Sequence, residues 1–482
     1  MDTIRNVRGG IKQMTNPFHF FAASPNEFVG RWPLVRAISD ELVQGISSYG
    51  IVGGKRCGKS SVLAMIQYLL QYDNELGDQA LTLLVDPMGW EGELDGPAHF
   101  WTEILRALAL EIATYSQTAK LDLAEIQRVL TSADRVTATD FARLIGKVLE
   151  QLEDAGGPRR LVLLIDEMDS LIDYGWHTAL FGQIRALLSG PAKRWCRLVS
   201  AGSRRFVDQV SQRGSPLFNI LQLRYLTPLS QADTALIVRR YPSLPVEVEN
   251  AVGIYSGGHP YLATYLLHHL WESNDGPPAV PDDLTEDDVK EVVEQFLFQQ
   301  SSDLNPWAET IGLAGLQIYG LFLTTNDWRK GRDLRGIVND KTLPVADALT
   351  ALAYHNFIVP NARWSEFRRG SELFRRWYED EIVRLTQKLT PDDTKLQEWP
   401  AFFRDVLVVM GNNNTWQQAT GRNIAQAAGN GTAAVDDQSR RSVFDQRDQT
   451  IQGNQTNIAG DVNTGGGMVN TGTTYHSQDR SG

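Results

Sequence analysis

The sequence predicts an α/β fold: a parallel sheet covered by helices, then helical units, then a low-complexity tail. Three observations point there. Short apolar runs, "YGIV" from Tyr49, "ALTLLV" from Ala80 and "LVLLI" from Leu161, are hydrophobic throughout, as strands buried on both faces are. Longer stretches with apolar residues at helical spacing separate them. A glycine-rich turn and an acidic pair directly follow two of the runs, where the loops of a parallel sheet open.

Taken in order, residues 1–15 form a polar leader. Pro17, Pro25 and Pro33 punctuate the next stretch, and a helical pattern begins near Leu34. The strand at Tyr49 runs into Gly53-Gly54, and "SSVLAMIQYLLQY" has helical spacing. "ALTLLVDP" is a second buried strand. "HFWTEILRALALEIATYS" and "TATDFARLIGKVLEQLEDA" are helical. "RRLVLLIDEMDSL" is a strand ending in acids, and "RWCRLVSAGSRRF" a strand ending in small and basic residues. These elements define a first domain over 16–240. Residues 241–305 turn helical, with loops at "GGHPY" and "NDGPPAVPDD". Residues 306–385 set short helices around "HNFIVPNARWSEFRRG", a β-hairpin between helices and the order of a small winged-helix domain. A helical linker, 386–410, precedes the Asn/Gly/Thr-rich residues 411–482, expected to be disordered or to assemble as stacked β-structure.

Bulk properties restrict the class further. Two cysteines in 482 residues, Cys57 and Cys196, exclude a disulfide framework and suit a reducing compartment. A net charge of −12 argues against wrapping nucleic acid along a large surface, so nucleic acid is not the favoured partner. No run of about 18 apolar residues is available for a membrane helix. The opening "MDTIRNVRGGIKQM" lacks the apolar core of a secretory signal, so the expected location is cytoplasmic.

"GGKRCGKSS" carries the strongest chemical signal. Gly53, four residues, then Gly58-Lys59-Ser60 fits the phosphate-loop pattern of P-loop nucleoside triphosphatases. Glycines let backbone amides curl around a polyphosphate, and the helix end adds its positive dipole. Gly53, Gly54, Lys55, Arg56, Cys57, Gly58, Lys59, Ser60 and Ser61 are therefore candidate ATP-binding residues. Lys59 brings charge to the β- and γ-phosphates, and the Ser60 hydroxyl can ligate Mg2+. In "LVLLIDEMD", Asp166 is positioned to hold the magnesium shell and Glu167 to orient or deprotonate water, although an acidic pair there also suits a helix N-cap. In "VSAGSRRF", Ser203 suits a contact to the γ-phosphate or the attacking water. Arg204 or Arg205 suits a report on nucleotide state, with a solvated basic turn as the alternative for either arginine.

These motifs, in this order, resemble the STAND class of signal-transduction ATPases within the wider AAA+-like group, which includes archaeal-type and origin-recognition-like ATPases. "NPF" at Asn16 and "FVGR" (Phe28, Val29, Gly30, Arg31) resemble the N-terminal segment that lies by the adenine. "LTPLS" at Leu226 resembles the link from sheet to helical lid, and "SGGHPY" the turn whose proline, here Pro260, sits near the base. The resemblance covers about residues 16–385. It implies an ATPase with a lid and a winged helix, self-association on ATP binding, and a switching role in regulated assembly or bacterial defence. Its alternative is a DNA-associated ATPase of the origin-recognition kind. Two departures stand out. Cys57 occupies a loop position usually small or proline, so its thiol is either oxidation-sensitive or inert. "YHNF" around His355 is only a loose counterpart of the histidine that plant and animal relatives use for sensing.

The arginines Arg363, Arg368, Arg369, Arg375 and Arg376 are interleaved with Glu366, Glu372, Glu379 and Asp380, which favours a salt-bridged face over a nucleic-acid contact. His268-His269 is read as packing. With the phosphate loop starting at residue 53, no effector domain is expected before it, and no 30- to 45-residue repeat follows the winged helix. Residues 421–476 are then the candidate output, homotypic or toward a downstream effector, because in-register Asn and Gln ladders can stack across chains.

Overall fold

The computed structural model describes residues 15–388, apart from 91–93, 116–120, 133–134, 274–283, scattered positions within 301–325, and 338–344. The leader up to residue 14, the linker beyond 388 and the tail lie outside the described residues. The chain forms two compact units that divide between Val293 and Glu294.

In the first unit, β1 (Tyr49–Val52), β2 (Ala80–Val85), β3 (Arg160–Ile165), β4 (Cys196–Gly202) and β5 (Gln222–Tyr225) form one sheet in the order β2-β3-β4-β1-β5. Every neighbouring pair is parallel. The first four strands are those the apolar runs predict, and nearly every residue in them is buried. β5 was not legible in the same way: its four residues, QLRY, are exposed or half-buried and alternate no clear apolar face.

Helices α1 (Trp32–Gln44) and α2 (Lys59–Tyr72) cover one face. Their Val35, Ile38, Leu42, Val62 and Ile66 join Ile51, Val162, Leu164 and Val199 of the strands in one buried cluster. Helices α3 (Pro97–Tyr115), α4 (Ala124–Thr131), α5 (Ala138–Asp154) and α6 (His177–Ser189) supply further cover, and α3 packs on β2, α5 and α6. The "TATD" start of α5 is a capping box, with the Asp140 amide donating to Thr137 Oγ1 at 3.1 Å. After α7 (Arg204–Ser211) and β5, helices α8 (Gln231–Val238), α9 (Val246–Ser256) and α10 (Pro260–Ser273) pack on one another. This bundle begins at Gln231, ahead of the expected boundary at 241, because α8 packs with the helices after it.

The strand order places the site. The chain leaves β1 for β2 past two intervening strands, and later leaves β4 for β5 in the opposite direction across β1. The carboxyl ends of β1, β3 and β4 thus flank a crevice where the winding reverses, the usual ligand position in open α/β sheets. Gly53, Asp166 and Ser203 follow those three strand ends directly.

In the second unit, β6 (Arg329–Lys330), β7 (Ile358–Pro360) and β8 (Glu366–Arg369) form an antiparallel sheet in the order β6-β8-β7, among helices Gly331–Ile337, Val345–Tyr354 and Glu372–Lys388. β7 and β8 are the predicted hairpin. Some of the interleaved charges pair with one another, and Arg376 pairs outside the set. Arg369 meets Glu372 at 3.3 Å, Arg375 meets Glu372 and Glu379, Arg376 meets Glu294, and Arg368 lies 5.2 Å from the Trp328 ring centre. His355 is buried, its ring 6.3 Å from that of Trp307.

Candidate phosphate-binding site

The loop grows out of β1. The Gly53 amide donates to Gly202 O at 3.4 Å, adding one rung to the β1–β4 ladder before the chain turns away. Arg56 and Gly58 then take left-handed φ values of 58° and 93°. A Cβ on Gly53 would lie 2.4 Å from Cys57 Sγ, so the packed thiol itself demands glycine there. Cys57 is fully buried among the core residues under the loop. Of its two sequence-level readings, burial favours the inert one.

The first helical bond of α2 here runs from the Val62 amide to Gly58 O at 3.1 Å. The amides of Lys59, Ser60 and Ser61 precede it and belong to the electropositive helix end. Lys59 is 8% exposed, and its Nζ donates to Gly53 O at 3.3 Å and Gly54 O at 3.0 Å. The ammonium therefore sits over the loop on neutral carbonyls, partners that an anionic oxygen outcompetes.

The acidic pair is fixed by backbone bonds. The Asp166 amide donates to Val85 O at 2.8 Å, prolonging the β2–β3 ladder, and its Oδ1 accepts the Glu167 amide at 2.9 Å. Glu167 has φ 43°, a left-handed conformation costing a non-glycine residue about 1–2 kcal/mol. Its carbonyl accepts the Ser170 amide at 2.9 Å and the Ser170 hydroxyl at 2.8 Å. Burial pushes the Glu167 carboxyl above its ordinary range. The Lys59 ammonium opposes that shift, while Asp166, Asp169 and Asp86 add to it. A carboxylate raised in this way is a better proton acceptor near neutral pH.

One cavity of about 300 Å³ joins these groups. Gly58, Lys59, Ser60, Ser61 and Glu167 are among its lining residues. Phe18, Phe20, Phe28, Val29, Ile237, Pro260 and Tyr261 make an aromatic and aliphatic wall, with Arg31, Arg56 and Arg240 also on the lining. The segment after Asn16 supplies part of that wall because it is tied at both ends. Asn16 Nδ2 donates to Glu272 Oε1 at 2.7 Å, Phe18 O lies 2.7 Å from His268 Nδ1, and the Ala23 amide donates to Ser61 Oγ at 2.9 Å. His268 thus holds the segment after Asn16 as well as packing. Arg31 is half-buried and donates to Cys57 O at 2.7 Å and Thr227 O at 2.8 Å, joining the loop to the segment before α8. Gly30, with φ 72°, has no room for a side chain, since a Cβ would lie 2.9 Å from Asp233 Cγ and from Leu229 Cδ2. The Arg56 guanidinium stands 4.2 Å from the Tyr261 ring centre.

Of the expected site residues, Phe28, Val29, Arg31, Arg56, Gly58, Lys59, Ser60, Ser61, Glu167 and Pro260 meet at this cavity. Gly30, Gly53, Gly54, Lys55, Cys57 and Asp166 are not among its lining residues. The structure does not bring Ser203 or Arg204 to it. The Ser203 hydroxyl donates to Asp169 Oδ1 at 2.8 Å, and Arg204 Nε lies 3.6 Å from Asp208. Tyr261, Thr264 and Arg240 were missed. Tyr261 was signalled by its place beside Pro260, whereas Arg240 is a single basic residue after an apolar helix and carried no signal.

A parallel 2-3-4-1-5 sheet with a phosphate loop after its first strand and an acidic pair after its third defines the P-loop nucleoside triphosphatase fold. No protein-family model and no curated protein matches the chain. Among solved structures it is similar to the Walker-type ATPase of Pyrococcus abyssi (16% identity, 75% of this chain and 99% of that one, TM-score 0.48). It is also similar to the Orc1 protein of Aeropyrum pernix in complex with DNA (15% identity, 77% and 96%, TM-score 0.36). A third is a STAND protein with a tetratricopeptide repeat sensor from Pyrococcus horikoshii (13% identity, 83% and 47%, TM-score 0.31), of which the chain spans about half.

Proposed function

We propose that the chain is an ATP-binding and ATP-hydrolysing switch of the STAND and AAA+ type, acting with Mg2+ in a cytoplasmic signalling or defence assembly. One observation carries this reading: the same cavity is lined by phosphate-loop residues, by Glu167 and by aromatic side chains, the groups that suit the phosphates and the base of a nucleoside triphosphate. Lys59 exchanges its two loop carbonyls for β- and γ-phosphate oxygens, and the α2 amides hold the same charge. Ser60 Oγ and the Asp166 carboxylate would hold Mg2+, which neutralises charge on the phosphates; a carboxylate buried at the end of β3 suits that role. Glu167 takes the proton of the attacking water. Arg31, bonded to both the loop and Thr227, links the loop to the helices α8–α10, which serve as the lid.

The second unit is read as a winged helix and residues 421–476 as the output, engaged when ATP-bound copies associate. The carboxylate pairing of Arg369, Arg375 and Arg376 weighs against the DNA-associated alternative.

Two variants test the site. Lys59→Ala should weaken ATP binding roughly 10- to 100-fold, the worth of about 1.5–3 kcal/mol for a charged hydrogen bond. Glu167→Gln should bind ATP normally yet hydrolyse it about 10²- to 10⁴-fold more slowly. Calorimetric binding and single-turnover hydrolysis read the two effects separately. Unchanged affinity in the first variant, or wild-type turnover in the second, removes the corresponding assignment.

A further inference from the structure

Asp169, two residues beyond Glu167, is absent from the cavity lining, yet its carboxylate is fully engaged. Oδ1 accepts the Ser203 hydroxyl at 2.8 Å and the Phe206 amide at 3.0 Å, and Oδ2 accepts the Ser203 amide at 2.5 Å. Two of these donors are amides at the start of α7, so a side chain from another segment caps that helix. Four residues further on, Asp173 Oδ1 meets Arg205 Nη2 at 2.6 Å. The 3-10 segment Met168–Asp173 is thereby fixed to α7 near both its ends.

Glu167 immediately precedes that segment, with φ 43° and ψ 48°. A non-glycine residue keeps this conformation only where its surroundings over-determine it. Asp166 Oδ1 holds the Glu167 amide, and Ser170 holds its carbonyl through both amide and hydroxyl. Ser170 itself belongs to the docked segment, so unfastening that segment releases half of the restraint.

We infer that Asp169 is a positioning residue for Glu167: by clasping Ser203 and Phe206 at the start of α7, it keeps the turn after β3 wound with the Glu167 carboxylate at the cavity. Ser203 acts through the same clasp and not on a phosphate. The inference rests on Glu167 being the proton acceptor, as proposed above.

Asp169→Asn keeps the size but replaces one acceptor oxygen with a donor facing donors. Affinity for a non-hydrolysable ATP analogue should stay within about 3-fold, while single-turnover hydrolysis slows roughly 10-fold or more, as a misplaced catalytic group does. Combined with Glu167→Gln, the same change should slow the residual rate by less than about 2-fold, because its target is already gone. Ser203→Ala should behave alike with a smaller loss, and Ser203→Thr, which keeps the hydroxyl, should restore the rate. Losses that multiply with Glu167→Gln would mean that Asp169 or Ser203 acts on the reaction independently, and would overturn the inference. Wild-type turnover by Glu167→Gln would instead remove the proton-acceptor reading. Hydrogen exchange tests the clasp without turnover. Amides over 167–173 and 203–206 should exchange faster in Asp169→Asn than in the wild type, and unchanged protection there overturns the inference whatever the chain hydrolyses.

Discussion

Gly53 and Cys57 share one space, and this packing makes the departure at Cys57 intelligible. The thiol stands where a small or proline residue is usual, and the sequence alone left it either reactive or inert. The structure buries it and places its sulfur where a Cβ on Gly53 would fall, 2.4 Å away. Gly53→Ala should destabilise the fold by about 1–3 kcal/mol through overpacking. Cys57→Ala removes the sulfur, so the double variant should be more stable than the two single losses predict, by about 1 kcal/mol or more. Urea unfolding of the four proteins measures the coupling, and strictly additive losses would show that the close approach is not what demands glycine. At this scale the places of the phosphate loop and of Asp166 were legible because each directly follows a strand end. For Ser203 the position does not give the partner. It follows a strand end too, but Asp169, whose partner lies 34 residues away in sequence, claims its hydroxyl.

Among the elements, the strands β1 to β4 could be read from continuous apolar runs, whereas β5 could not, because a short half-exposed edge strand has no such run. The start of the helical bundle at Gln231 was hidden likewise, since only packing partners distinguish α8 from the helices before it. The turn after Ser24 illustrates how a local element serves the cavity. Glu27 Oε2 accepts the Ser24 hydroxyl at 2.6 Å and amide at 3.0 Å, Glu27 Oε1 lies 2.8 Å from His19 Nε2, and the Glu27 carbonyl accepts Arg240. The Ser24 hydroxyl, against the effect of burial and with help from His19, lowers the Glu27 carboxyl from 4.5 to about 2. The sign follows from linkage. A carboxyl with a depressed folded-state value stabilises the fold fully above about pH 4.5, and that contribution is lost as pH falls through about 2. Glu27→Gln should therefore lower Tm at pH 7, and the gap to the wild type should narrow steadily between pH 5 and pH 3. Melting curves across that range decide it: a gap independent of pH would mean that the carboxylate charge contributes nothing.

For the whole molecule, the switch proposal joins the ATP cavity of the first unit to the Asn-, Gly- and Thr-rich residues after 411, which lie outside the described structure. Two loosely similar blocks there, from Gly421 and Gly453, scatter single Ile, Val and Ala residues among polar ones. A composition of this kind offers little apolar surface to bury. Copies in register change that balance, because Asn and Gln side chains form ladders and the sparse Ile and Val line a dry seam. In the proposal, association of ATP-bound copies would raise the local concentration of these segments without any new contact elsewhere. Two measurements follow. The fragment 440–482, incubated alone at high concentration, should form fibres with cross-β spacings of about 4.7 and 10 Å. In the full chain, Glu167→Gln with ATP should enlarge and seed such assembly sooner than the wild type, whereas Lys59→Ala should remain at its nucleotide-free size. A fragment that stays monomeric and lacks those spacings removes the tail from the mechanism. Assembly that proceeds equally in Lys59→Ala separates the tail from ATP and leaves the cavity without its proposed output.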